Sequence, residues 1–129
     1  MSPTLPKPTD GELAILRVLW DKGPSTVREV LEVMTEARDL GYTTVLKMLQ
    51  IMTDKGLVAR EEQGRSHVYA AVASKEQTQG HLVSDLLDKA FGGSALQLVM
   101  RALQDRRTSD EERAAIRRML EEAGQGRIQ

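Results

Sequence analysis

The stretch Gly41-Tyr-Thr-Thr-Val-Leu-Lys-Met-Leu-Gln-Ile-Met-Thr-Asp-Lys-Gly56 decides the fold. It reads as a helix with two unlike faces. Val45, Met48, Leu49 and Met52 recur at helical spacing and form one apolar stripe. Thr43, Thr44, Lys47 and Gln50 lie off that stripe, and all but Lys47 are uncharged hydrogen-bonding groups. Such a face suits base edges and phosphates in a nucleic-acid groove. It suits water equally well, so the neighbouring segments must decide between the two.

Upstream, Gly23-Pro24 separates two helical patterns, and Ser25 is a good N-cap for the second. That helix is expected over residues 26–37, with Val27, Val30, Leu31 and Met34 as its apolar stripe. Arg28, Glu29, Glu32 and Glu36 are expected to face water, and residues 38–41 to form a short turn. Before it, Thr9-Asp-Gly-Glu12 has the form of a capping box. It opens a first helix over about residues 10–21, whose broad buried face carries Leu13, Leu16 and Trp20 with Ile15 and Leu19 beside them. Residues 1–8 hold three of the four prolines and read as a tail.

Downstream, Gly56 supplies the left-handed position that ends a helix, and the period changes from helical to alternating. Leu57-Val-Ala-Arg-Glu-Glu62 reads as a strand, Gln63-Gly-Arg-Ser66 as a turn, and His67-Val-Tyr-Ala-Ala-Val72 as a second strand. Three short helices followed by a hairpin make a winged helix-turn-helix. In that plan the third helix enters the major groove and the hairpin touches the backbone nearby. Thr43, Thr44, Lys47 and Gln50 then face the bases. Leu46 offers an apolar contact to thymine, and Tyr42, Ser25 and Arg65 are candidates for phosphate, with His67 a weaker one.

From Ser74 the chain is helical again. Ser74 with Gln77, and Ser109 with Glu112, have capping-box spacing. Three helices are expected, from about residue 74 to the Gly92-Gly93 break, over 94–104 and over 110–123. Their apolar residues include Leu82, Leu86, Phe91, Val99, Leu103, Ile116 and Leu120. A segment this small buries so many apolar residues poorly by itself. Pairing with a second copy solves that, and it presents two recognition helices to two half-sites. The competing arrangement packs these helices back onto the amino-terminal domain. The expected organisation is therefore a tail (1–8), a winged-helix domain (9–73), a helical dimerisation domain (74–123) and a tail (124–129), in a mainly α fold.

The chain has 129 residues, 40% of them hydrophobic and 29% charged, the balance of a folded protein. It has no cysteine, which removes disulfides and thiolate metal sites, and its two histidines, His67 and His81, are far apart. No nucleophile signature or Gly-rich phosphate loop is present, so neither a catalytic role nor a cofactor or metal is expected. No apolar run reaches membrane-spanning length, and a cytoplasmic location is expected. The net charge is −1, a poor balance for a protein that must neutralise phosphates. Any basic surface must come from placement, with Lys47, Lys55, Arg60 and Arg65 the available cations near the third helix and hairpin.

Several stretches together resemble the BlaI/MecI/CopY family of bacterial repressors. They are Thr9-Asp-Gly-Glu-Leu-Ala-Ile-Leu-Arg-Val-Leu-Trp20, Gly23-Pro-Ser-Thr-Val-Arg-Glu-Val30, Tyr42-Thr-Thr-Val-Leu-Lys-Met-Leu49 and Lys55-Gly-Leu-Val-Ala-Arg60. Phe91-Gly-Gly93 followed by Leu98-Val-Met100 looks like the family's dimerisation domain. The resemblance covers about residues 9–122. It implies a homodimeric winged-helix repressor of a palindromic operator in double-stranded DNA. In the penicillinase and methicillin-resistance branch it further implies a membrane sensor protease as partner, and release of DNA after cleavage in the dimerisation domain. That cut falls between Asn and Phe in the family, and the equivalent bond here is Arg101-Ala102, which matches neither residue. The cysteine-rich copper site of the other branch is absent. The alternative to a DNA-reading repressor is a winged helix that serves only as a protein-interaction module.

Overall fold

The computed structural model describes residues 6–35 and 40–124. Most of the two expected tails, the end of the second expected helix (36–37) and the first half of the expected turn at 38–41 lie outside the described residues. The elements in order are α1 (Asp10–Lys22), α2 (Val27–Thr35), α3 (Tyr42–Lys55), β1 (Val58–Gln63), β2 (Ser66–Ala71), α4 (Lys75–Ala90), α5 (Ala95–Gln104) and α6 (Asp110–Gly124). This is the mainly helical winged-helix arrangement expected, with boundaries moved by one or two residues.

Local chemistry sets the helix ends. At α1 the Thr9 hydroxyl accepts from the Glu12 amide at 3.2 Å, and the Glu12 carboxylate accepts from the Thr9 amide at 2.9 Å, the reciprocal arrangement of a capping box. The same pair of bonds forms at Ser74 with Gln77 and at Ser109 with Glu112. Helix α3 stops at Gly56, whose φ of 84° and ψ of 14° are left-handed. The Gly56 amide donates to the Thr53 carbonyl and the Leu57 amide to the Met52 carbonyl. These two bonds close the last turn and swing the buried Leu57 back against it.

Contacts divide the chain into one unit that runs to Leu82 and another that begins at Val83. The division falls inside α4, past the boundary expected at residue 73. The start of α4 belongs to the first unit: Thr78 is buried, and the Trp20 indole donates to the Ala73 carbonyl at 3.0 Å.

The first unit holds the core. Ile15, Leu16, Val18 and Leu19 of α1, Val27, Val30 and Met34 of α2, and Val45, Leu49 and Met52 of α3 are all buried together with Leu57, Val58 and Tyr69. Val18 is buried although the expected face passed it over, while Leu13 and Trp20 are only half-buried. β1 and β2 pair antiparallel from Val58↔Ala71 to Gln63↔Ser66. The loop is thus Gly64-Arg65, and Gly64 has a φ of 62°. A glycine with positive φ at the first loop position matches the twist of a tight hairpin. A third segment joins this sheet: Ser25 and Tyr69 exchange backbone hydrogen bonds of 2.9 and 2.8 Å. The wing is therefore bonded to the start of the helix-turn-helix.

The second unit contains α5, α6 and the end of α4. Ser94 caps α5 through the Gln97 amide. The turn between α5 and α6 is held by Arg113, which donates to the Leu103 carbonyl at 2.9 Å, and by Arg107, which grips the Asp105 carboxylate with two nitrogens. That grip holds the Asp105 carboxyl well below the usual range. Neither α5 nor α6 contains a buried residue.

Candidate nucleic-acid interface

Helix α3 is seated by its apolar stripe. Val45, Leu49 and Met52 are fully buried, and Met48 and Leu46 are half-buried against the same core. The opposite face is open: Tyr42, Thr43, Thr44, Lys47 and Gln50 are all exposed. Thr43, Lys47 and Gln50 follow one another at helical spacing, so the three side chains leave the helix on one side. Two uncharged hydroxyls, one amide and one cation make a surface able to donate and accept at base edges and to meet a phosphate. Leu46 is turned partly inward, and this weakens it as a thymine contact. Ile51, by contrast, is 44% exposed at the border of the polar face. Its only sequence signal is a β-branched residue seven places after Thr44, on the same side of the helix.

Arg28 also lies outside the expected face. On α2 it sits with its guanidinium 5.6 Å from the centre of the Tyr42 ring, a cation–π distance. The contact brings a cation to the start of α3, where the expected pattern placed only a solvated charge. No side chain caps that start, since the N-cap is Gly41, and no acid lies in the first turn. The positive end of the helix thus stays open.

Ser25 is corrected. It is only 1% exposed, and its hydroxyl donates to the Gly23 carbonyl at 2.8 Å. Its backbone is pledged to Tyr69, so the side chain is turned inward and cannot meet a phosphate. Nor does it cap α2. Thr26 does so, with bonds of 3.2 and 2.9 Å between it and Glu29. The bonds from Thr26 hold the Glu29 carboxyl below its ordinary value.

Lys55 is corrected as a source of phosphate attraction. Its ammonium lies 2.6 Å from the Glu12 carboxylate, with the Glu12 side chain 7% and the Lys55 side chain 34% exposed. Burial pushes the Glu12 carboxyl up, but the bonds from Lys55 and Thr9 outweigh it and leave the group below the usual carboxylate value. The charge of Lys55 is used inside the fold, where it ties the first turn of α1 to the last turn of α3.

The wing carries Arg65 exposed at its tip and Arg60 exposed on β1. His67 stands across from Glu62 in the strand register, with 3.6 Å between the ring nitrogen and the carboxylate. Arg65, Arg60, Lys47 and Arg28 are thus the exposed Lys and Arg residues of α2, α3 and the wing that form no ion pair among the described residues. In the second unit Leu86, Val99 and Leu120 are exposed, while Leu82 at the end of the first unit, and Phe91, Leu103 and Ile116, are half-buried. Arg101 and Ala102 are both exposed in the second half of α5.

The model of the penicillinase repressor family matches residues 8–122. The chain belongs to the penicillinase repressor family. Its members are transcriptional repressors and not enzymes. The "Transcriptional regulator BlaI" of Mycobacterium tuberculosis is 36% identical over 119 residues, which cover 91% of this chain and 86% of that protein. The solution structure of the DNA-binding domain of the repressor BlaI aligns with a TM-score of 0.51 at 23% identity, over 57% of this chain and 90% of the domain. The monomeric form of Bacillus licheniformis BlaI, solved in complex with the blaP half-operator, aligns with a TM-score of 0.50 at 23% identity, over 57% of this chain and 89% of that one. Both share the winged-helix fold of this repressor. Among the described residues no helix is long and apolar enough to cross a membrane.

Proposed function

We propose that this repressor acts as a homodimer that reads a palindromic operator with α3 in the major groove of double-stranded DNA. One observation carries the assignment: α3 buries Val45, Leu49 and Met52 completely and leaves Thr43, Thr44, Lys47 and Gln50 in solvent. Gln50 has the amide geometry for bidentate contact to adenine, Thr44 can meet a thymine methyl or a base edge, and Lys47 reaches guanine or phosphate. Tyr42 and Arg65 contact phosphates on either side, with Arg28 beside Tyr42 and Arg60 behind the wing tip. Relatives named as a transcriptional regulator and as a penicillinase repressor, and a BlaI solved on a half-operator, support this reading over a winged helix that contacts only protein.

The dimer is assigned to the carboxy-terminal helices. Leu96, Val99 and Met100 of α5 and Met119 and Leu120 of α6 are exposed, and such a surface is stabilised when covered by a second copy. The bond Arg101-Ala102 lies in helical backbone, with the Ala102 carbonyl accepting from the Asp105 amide and the Thr108 hydroxyl. A membrane sensor protease would have to unwind this turn to cut there, and the cut would divide α5 and sever most of it from α6.

A mobility-shift titration of the repressor against the promoter DNA of its own operon, at a series of salt concentrations, tests the proposal. Binding that prefers one palindrome and weakens steeply with salt is the expected result. An absence of binding at low salt overturns it and favours the protein-interaction module.

A further inference from the structure

A groove of about 690 Å³ opens on the first unit, with no residue of α3 in its lining. Ala14 and Val18 of α1, Trp20 near its end, and Val33 and Met34 of α2 supply the apolar lining. Arg17, Lys22 and Lys75 stand around it with a single acid, Asp21. Among the described residues the Arg17 and Lys75 side chains make no hydrogen bond or ion pair, and the Lys22 ammonium has only the through-space attraction of Glu29. Here three cations surround an apolar floor and leave a surplus of two positive charges over Asp21.

We infer that this groove binds a small soluble amphipathic anion, an apolar body bearing one carboxylate. The apolar part lies against Val18, Trp20, Val33 and Met34, where its burial is the main favourable term. The carboxylate meets Arg17, Lys22 or Lys75 at the rim, where a charge-assisted bond fixes its orientation. The charge surplus selects an anion over a neutral or cationic compound of the same shape. None of these residues belongs to the face assigned to DNA, so the inference stands apart from the operator reading.

Trp20 is the only tryptophan of the chain, so its emission reports this groove and no other surface. The full-length repressor is titrated with octanoate, which does not absorb where tryptophan does, and in parallel with octanamide and octylammonium. A saturable change in Trp20 emission with octanoate, far weaker with the neutral and cationic analogues, is expected. Arg17→Glu and Lys75→Glu, both exposed positions that leave the core intact, should each raise the Kd by about tenfold or more. Circular dichroism confirms that the variants stay folded. The inference is overturned by no saturable response to octanoate in the millimolar range, by equal binding of octanamide, or by unchanged affinity in both variants. A response to phosphatidylglycerol vesicles without one to octanoate also overturns it, since it makes the groove a membrane-contact surface.

Discussion

At the scale of single residues, two lysines on one helix carry the same charge to different ends. Lys47 is free on the polar face of α3, whereas Lys55 is held by Glu12. Lys47→Ala should weaken operator binding and reduce the slope of log affinity against log salt by about one. Lys55→Ala should leave that slope unchanged and lower stability by about 1–2 kcal/mol, less than for a fully buried pair because Lys55 keeps part of its surface in water. Urea unfolding and the salt series read the two effects separately. Glu12 titrates lower in the folded chain than its ordinary value of 4.5, so the folded state gives up its proton more readily than the unfolded one. Its stabilising share is therefore complete above pH 4.5 and is lost as the pH falls through the folded value. Glu12→Gln should flatten the acid limb of stability against pH, as followed by urea melts from pH 6 downward (about the range in which carboxylates titrate). Gln50→Ala should relax preference at one operator position by about 1–3 kcal/mol, and an unchanged preference across a library of operator variants would remove Gln50 from the groove. Neither the Lys55 pairing nor the place of Arg28 was legible in the sequence. Glu12 and Lys55 are 43 positions apart, and a charge on a helix shows no sign of whether its neighbour in space is an acid, a ring or water.

At the scale of elements, the legible features were those with a local cause. Thr9 with Glu12, Ser74 with Gln77, Ser109 with Glu112 and Gly56 mark helix ends by chemistry that acts within three or four residues, and each forms as expected. The hairpin was legible from its change of period. The start of α2 was misread by one residue because Ser25 and Thr26 are both good caps, and only the pairing of Ser25 with Tyr69 decides between them. A single-residue bridge has no periodicity, so no sequence pattern announces it. Thr26→Ala should cost about 1 kcal/mol through loss of the capping box, measured as a shift in the urea midpoint. The exposed polar face of α3 was legible because the helix has to bury one side, and its buried stripe fixed which residues remain outside.

At the scale of the whole molecule, the near-neutral balance of charge becomes intelligible. The acids Glu12 and Glu29 are spent on helix caps, and Glu12 also on Lys55, while Lys47, Arg28, Arg60 and Arg65 are left exposed on α2, α3 and the wing. Net charge is a poor guide when placement differs so much between signs. The two units also differ in how they hold themselves together. The first has an interior of its own, whereas α5 and α6 have none. Val99→Glu and Leu120→Glu should therefore shift the repressor toward monomer in sedimentation equilibrium, with little effect on the unfolding of the first unit. Operator affinity should fall in step, because two half-sites joined in one dimer bind far more tightly than either alone. A chain that stays dimeric in both variants would move the dimer surface elsewhere.

The two bonds between Ser25 and Tyr69 have a consequence for motion. They join the base of the wing to the segment just ahead of α2, so the inner half of the hairpin can open only if the helix-turn-helix opens with it. The amides of Ser25 and Tyr69 should exchange with deuterium only through global unfolding, whereas those of Gly64 and Arg65 at the tip should exchange at rates near those of free peptide. The wing is then expected to be a stiff stem with a loose fingertip, and in the proposed operator complex only the few residues around Arg65 would have to be ordered.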